Sequence, residues 1–449
     1  MEAGMLARFT VANFLSFNNH QSLSLVSGSE LKNRNRLFAA SDVSLLKFGA
    51  IFGANAAGKS NVIKAMAYAH RLILEGTSSI TNANQYYRMA AENKEKPSYF
   101  EFEIAIDGKL YAYGFEVIIA QKCITEEWLY ALAKEGDHPL FVRNSIEGTY
   151  HYEKSLVPES LQNRFEIYLS DMKSVHTSLF LHEIVTDKSA LYATQSQLCL
   201  LPEIYRWFIR LTLTSPSSSL SGYSLVPSMQ SQKIGKAITH FATGISAVRF
   251  KPITSEQVEQ LLPATHAQQF SQDLRACSHN GGDYQLQIGS RLLLLSCKEK
   301  QSQFFEIVFE HEDQLFSYEE ESDGVRRLFD LLSVLVTSEA GTVFLFDEID
   351  RSLHPQMTLQ FIRTYLELAQ ERDIQLVITT HESHLLDLSL LRRDEIFFVE
   401  KARDGSSVIY PFDQFEQQFD GKLEQAYLNG RYGGVPLFGE PYLPMKEEL

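Results

Sequence analysis

GANAAGKS, Gly53 to Ser60, decides how the rest of this chain is read. It fits the phosphate-loop pattern G-x-x-x-x-G-K-[ST] and stands between an apolar run and a helical stretch, as that loop requires. The run before it, LLKFGAIFG (Leu45 to Gly53), suits a buried strand. Gly53 and Gly58 free the backbone to curl so that successive N–H groups face an anion, which a chain bearing Cβ atoms resists. The positive end of the following helix adds to that site. Lys59 is the group that reaches the outer phosphates, and Ser60 offers a hydroxyl to Mg²⁺. A chance match is roughly a per-cent-level event in a chain of this length, and the strand-loop-helix setting lowers it further. The candidate nucleotide-binding residues are Gly53, Ala54, Asn55, Ala56, Ala57, Gly58, Lys59, Ser60 and Asn61.

Working outward, VFLFDE (Val343 to Glu348) is an apolar strand ending in two carboxylates. Alone it describes many buried strands; downstream of a phosphate loop, Asp347 suits a Mg²⁺ contact and Glu348 suits polarising a water. ESDGVRRL (Glu321 to Leu328) puts Ser-x-Gly at the mouth of a helix. That is equally the composition of an ordinary N-cap. THESHLL (Thr380 to Leu386) follows the apolar strand IQLVITTH. Its histidines are spaced i and i+3, which excludes the i and i+4 pair of a zinc protease.

The N-terminal segment, 1–123, reads as strands around the loop: ARFTVANF and QSLSLV alternate at period two, and YFEFEIAIDGKLYAYGFEVII is two strands joined by Asp107-Gly108. From 124 to 280 amphipathic stretches such as PESLQNRFEIYLSDM and LPEIYRWFIRLTL predict a compact, mainly helical insertion, with a Ser-rich loop over Thr214 to Ser224. From 281 to 449 strands and helices alternate again: YQLQIGSRLLLLS, FFEIVFEH, a helix over 324–338, TVFLFDE, a helix over 355–370, IQLVITTH and the hairpin EIFFVEKARDGSSVIYPF. The class is α/β with mixed sheets.

Composition narrows the function. The chain has 449 residues, 44% of them hydrophobic, enough for a sizeable core. No run reaches the roughly 18 apolar residues of a membrane span, and no signal-peptide layout opens the chain, so a soluble, cytoplasmic protein with no membrane partner is expected. Met1 to Gly4, ahead of Met5, read as a leader or cloning scar. The four cysteines show no metal-ligand spacing and read as reduced thiols. A net charge of −15 argues against a broad nucleic-acid surface while leaving room for a local basic groove.

With these four motifs in this order, the sequence resembles the ABC-type ATPases, in particular the branch of SMC-like heads and OLD proteins. The resemblance covers roughly the first 120 residues and the last 170. It implies an ABC-type head that binds and hydrolyses ATP with Mg²⁺, the metal held by Ser60 and Asp347 and the catalytic groups being Glu348, Lys59 and His381. It also implies that Ser322 and Gly324 of one subunit cap the γ-phosphate bound by another, so that the working form is a homodimer or larger homo-oligomer closed around ATP. DRSLHP (Asp350 to Pro355) stands where that family has its D-loop, with His354 where aspartate is common; for the Q-loop glutamine, Gln85 and Gln121 are both available. Within the family the chain is similar to small ATPases of bacterial phage-defence operons, through FTVANFLSFNNHQSLSL, RRDEIFFVEK and YLNGRYGGVPLFG. No Toprim-like acidic cluster follows the core. The resemblance therefore implies a nucleotide-switched sensor of a separate effector, a nuclease or toxin, triggered by nucleic acid or a phage protein. A repair ATPase resembling RecF and a nucleotide-gated scaffold are the alternatives.

Overall fold

In the computed structural model the apolar run ahead of the phosphate loop is two strands. Val43–Leu46 pairs with Leu37–Ala40, and Phe48–Phe52 lies in a different sheet. Lys47, between them, is buried, its Nζ 2.9 Å from the Ala369 carbonyl and 2.9 Å from the Asp373 carboxylate. A paired lysine at the junction hides the break from a hydropathy reading. The structure describes residues 4–193, 196–214, 223–227, 231–241, 243–298, 301–336, 339–415 and 423–432. Most of the Ser-rich loop and the end of YLNGRYGGVPLFG lie outside them.

The chain forms two compact units, the first made of 1–214, 340–349 and 369–449 and the second of 215–339 and 350–368. In the first, a six-stranded sheet runs in the order Thr212–Thr214, Thr342–Phe346, Ile374–Thr379, Phe48–Phe52, Ile396–Lys401, Ser407–Pro411. It is parallel up to its last strand, which turns back antiparallel. The three central strands are buried at every position, which is why they read as mainly apolar runs; the one long polar side chain among them, Gln375, is bonded to the Leu6 and Leu46 backbone. The helix Lys59–Glu75 buries Val62, Ile63, Met66, Ala69, Leu72 and Ile73, a stripe at helical spacing. That stripe joins one core with Val343, Leu345 and Val377 of this sheet and with Phe100, Phe102 and Phe115 of the second.

The second sheet of this unit is seven-stranded, in the order Thr149–Tyr152, His138–Asn144, Cys123–Leu132, Lys109–Ile118, Ser98–Ile106, Met5–Ala12, Gln21–Ser24. The Asp107-Gly108 hairpin forms as expected, with positive φ at both residues (49° and 73°). Residues 124–152, expected within a mainly helical segment, are instead strands that extend this sheet. Their alternation is masked by a buried charge: Glu127 pairs with Arg143 at 3.1 Å and accepts the Phe180 and Leu181 N–H groups at 2.6 and 2.9 Å. The helices Glu159–Met172 and Leu200–Arg210 form where their periodicity places them.

The second unit is built on an antiparallel sheet with the path Tyr223–Pro227, Gly282–Ile288, Arg291–Lys298, Gln301–His311, Ala247–Ile253, and Gln314–Ser317 pairing beside it. Val258, Phe270, Leu286, Leu293, Leu295 and Phe304 form its core. It also holds the helices Asp323–Val336 and Pro355–Leu368. Among the described residues, no helix is long and apolar enough to cross a membrane.

Candidate functional site

Three neighbouring parallel strands deliver the candidate residues to one edge of the first unit. Thr379 is in register with Ile51, and Phe346 with Ile378. Gly53, Asp347 and Thr380-His381 therefore leave the sheet side by side at its carboxyl ends, where α/β sheets bind ligands.

The phosphate loop is shaped by close backbone approach. A Cβ on Gly53 would run into the Val399 carbonyl, and one on Gly58 into the Ser407 and Ser16 hydroxyls. Gly58 also has φ 114°, and Ala56 φ 62°, so the loop turns through the left-handed region twice. Gly58 is the N-cap of the helix Lys59–Glu75 and supplies no side-chain acceptor to it. The first N–H groups of that helix receive no side-chain cap, and a helix start of this kind suits an anion. Lys59 is buried and curls over its own loop: its Nζ donates to the Gly53 carbonyl at 2.6 Å and the Ala54 carbonyl at 3.0 Å, and lies 3.4 Å from His381 Nδ1. Lys59 and the candidate catalytic His381 are brought together.

The two carboxylates are organised by a residue that sequence reading missed. The Thr379 hydroxyl donates to Asp347 Oδ1 at 2.6 Å and accepts the Glu348 N–H at 2.8 Å. The Thr379 carbonyl accepts the Ile349 N–H at 3.0 Å. Thr379 and Asp347 are buried, while Glu348 is partly open and has φ 48°. A left-handed glutamate costs about 1–2 kcal/mol, and the threonine clamp holds the turn that carries it. His381 is exposed.

A second missed group supports the loop from behind. Ser407 Oγ donates to the Ala57 carbonyl at 2.5 Å and lies 2.8 Å from Ser16 Oγ, which accepts from Asn61 Nδ2 at 2.7 Å. Asn61 is thus tied to the N-terminal strand region. Tyr427, stacked on Phe398 with ring centroids 5.4 Å apart, sets its hydroxyl beside the Gly53 backbone. Burial pushes the Tyr427 hydroxyl up to about 12, with the Gly53 amide pulling the other way. Ser16 and Tyr427 lie in stretches that carry the resemblance, but no pattern there assigns them to the loop, and the contacts joining Ser407 to Ser16 and Ala57 span more than three hundred residues.

Ser322 and Gly324 belong to the second unit. Ser322 Oγ accepts the Val325 N–H at 3.3 Å, so it does cap its helix. A Cβ on Gly324 would stand 2.8 Å from the Ser352 carbonyl, which gives the glycine a packing reason of its own. His354 Nδ1 accepts the Gln356 N–H at 3.2 Å. Of the two candidate Q-loop glutamines, Gln85 gives its backbone carbonyl to the Leu15 N–H, and the Gln121 side chain bonds Glu95 at 2.8 Å. The strand that reaches the edge beside Asp347 is Thr212–Thr214, with Thr214 opposite Phe346.

The donors fit a magnesium nucleotide. Ser60 and Asp347 carry hard oxygen donors of the kind Mg²⁺ takes, and among the described residues no cluster of three His, Cys, Asp or Glu forms a dedicated metal cage. One carboxylate plus a hydroxyl is what Mg²⁺ needs when phosphates and waters complete its shell.

A family model described as "AAA domain, putative AbiEii toxin, Type IV TA system" matches residues 48–151 and 224–387, more than half of the chain. No curated protein matches it. Among solved structures, a crystal structure of the SMC head bound to the C-winged helix domain of ScpA is similar at 13% identity and a TM-score of 0.43, covering 90% of this chain and 97% of that one. The SMC head domain from Thermotoga maritima is similar at 13% identity and a TM-score of 0.34, covering 92% and 99%.

Proposed function

The chain belongs to this AAA-domain family, and on that premise we propose that it binds and hydrolyses ATP and uses the cycle to switch a partner. The observation that carries the reading is the convergence of Lys59, Asp347, Glu348 and His381 at one sheet edge, beside a helix N-terminus whose cap supplies no side-chain acceptor. Lys59 exchanges the Gly53 and Ala54 carbonyls for phosphate oxygens when the nucleotide enters. The loop amides of Ala54 to Ser60 and the first turn through Asn61 hold the remaining phosphate charge. Ser60 and Asp347 would hold Mg²⁺, whose charge would offset that of the outer phosphates. Glu348 takes the proton of the attacking water, and His381 donates to an oxygen whose charge grows during transfer. Thr379 positions both acids.

In this reading the cycle closes a homodimer or larger homo-oligomer, with Ser322 and Gly324 of one subunit capping the γ-phosphate in another. The switched state then controls a separate nuclease or toxin in defence against phage; the support for that role is the resemblance of FTVANFLSFNNHQSLSL and the C-terminal stretches. A second reading has one observation in its favour: the family's description names a putative toxin, so that the chain itself would arrest growth. Expressing it alone in a heterologous bacterium separates the two, since growth arrest that depends on Glu348 supports the second. The enzymatic core is tested by Glu348→Gln, which should keep Mg-ATP binding by calorimetry and lose phosphate release. Equal turnover in both proteins refutes it.

A further inference from the structure

Beside the phosphate loop the first unit holds a cavity of about 490 Å³, lined on one side by Leu15, Ser16 and Asn61 and on the other by the 82–89 loop with Tyr86 and Arg88. We propose that this cavity takes the purine nucleoside of the bound nucleotide, with the base stacked on Tyr86. The proposal rests on the ATP reading above and adds the residues that select the base.

Position is the first argument. Asn61 lies in the first turn of the helix whose N-terminus receives the phosphates, and it also lines the cavity. The cavity therefore begins where the phosphate cradle ends. Its volume falls in the range of about 300–1,000 Å³ that small-molecule sites occupy. Construction is the second argument, because the far wall is pinned in place. Asn13, buried and left-handed (φ 49°), donates from Nδ2 to the Asn93 and Lys96 carbonyls at 2.9 and 3.0 Å and accepts the Tyr87 N–H at 3.1 Å. Leu15 N–H donates to the Gln85 carbonyl at 2.7 Å, and the Tyr87 hydroxyl donates to the Asp404 carbonyl at 2.8 Å. The near wall is fixed by the Ser16–Asn61 bond. So Tyr87 and Gln85 anchor the loop, and their neighbours Tyr86 and Arg88 are left to face the cavity.

Chemistry is the third argument. Tyr86 and Arg88 make no hydrogen bond or ion pair to any described residue. A half-buried aromatic ring is a stacking platform for a base, and a guanidinium and the Asn82 and Asn84 amides match the donor and acceptor edge of a purine.

The test compares, by calorimetry on the full chain with Mg²⁺, the binding of ATP, GTP, CTP and inorganic tripolyphosphate. The parent should bind purine triphosphates more tightly than CTP or tripolyphosphate. Tyr86→Ala should weaken ATP by roughly tenfold, the scale of one lost base stack, and leave tripolyphosphate unchanged; Tyr86→Phe should retain ATP. Should Tyr86→Ala fail to fold, Arg88→Ala, on an exposed side chain, decides by the same ratio. An ATP-to-tripolyphosphate ratio equal to the parent's in these variants overturns the nucleoside site while the phosphate loop stands. Loss of both ligands in Lys59→Ala, but of ATP alone in Tyr86→Ala, separates the two halves. A parent that binds neither ligand overturns the ATP reading and this site with it.

Discussion

Thr379→Val is the sharpest perturbation of the site, because one hydroxyl serves both carboxylates. Valine keeps the shape and deletes two hydrogen bonds, the 2.6 Å bond to Asp347 and the 2.8 Å bond from the Glu348 amide. A bond to a charged group contributes about 1.5–3 kcal/mol and one to a neutral amide about 0.5–1.5 kcal/mol. Both partners sit at the end of the buried strand Thr342–Phe346, so water does not readily replace them. If the whole loss, about 2–4.5 kcal/mol, falls on the transition state, turnover drops by about 30-fold to 2 × 10³-fold, at about 1.36 kcal/mol per decade. ATP binding should change far less, since Lys59 and the loop amides are untouched. The requirement for Mg²⁺ should rise, because Asp347 is no longer oriented. Phosphate release under saturating ATP, with a magnesium titration and a thermal melt, reads all three. Thr379→Ser is the control: it retains the hydroxyl and loses only a methyl, so turnover should stay near that of the parent. A folded Thr379→Val protein with parental turnover refutes the clamp, and equal damage from valine and serine assigns the effect to packing.

Other predictions follow from the same geometry. Glu348→Gln should lower turnover by roughly 10²-fold or more while nucleotide binding persists, the scale of a lost general base. Ser322→Arg should spare binding to the protomer's own loop and abolish hydrolysis; mixed with inactive Lys59→Ala protein it should recover part of the activity, and no recovery speaks against a shared site. Ser322 is the better position than Gly324, where any Cβ meets the Ser352 carbonyl. Glu395 gives a pH prediction: burial raises its carboxyl from 4.5 to about 7, against the Arg392 N–H at 2.8 Å. The folded chain then holds the proton more tightly than the unfolded one. Its contribution to stability is complete below 4.5 and is lost as pH rises towards about 7. Glu395→Gln should flatten that slope in urea unfolding.

What was legible in the sequence, and what was not, divides along a physical line. Gly53 and Gly58 could be read because a backbone that itself binds leaves its constraint in the residue type: no side chain fits against Val399 or Ser407. Strands buried on both faces were equally plain, since Phe48–Phe52, Thr342–Phe346 and Ile374–Thr379 are mainly apolar and have no solvent-facing side to alternate with the buried one. Asp347 and Glu348 stood out as charges ending such a strand. The 124–152 strands did not, because Glu127 and Arg143 neutralise each other inside the sheet and spoil its alternation. Thr379, Ser16, Ser407 and Asn13 were invisible for a different reason. Each acts on another part of the chain through an ordinary hydroxyl or amide, and threonine on a strand or serine in a loop is unremarkable wherever it occurs. Their roles exist only once the fold has joined Ser16 to Ser407 and Thr379 to Asp347. The groups that would bind the nucleotide are therefore local and recognisable, whereas the groups that aim them are distant and plain. Substitutions among the second kind should change rates more than affinities, because they leave every phosphate contact in place and alter only where the acids point.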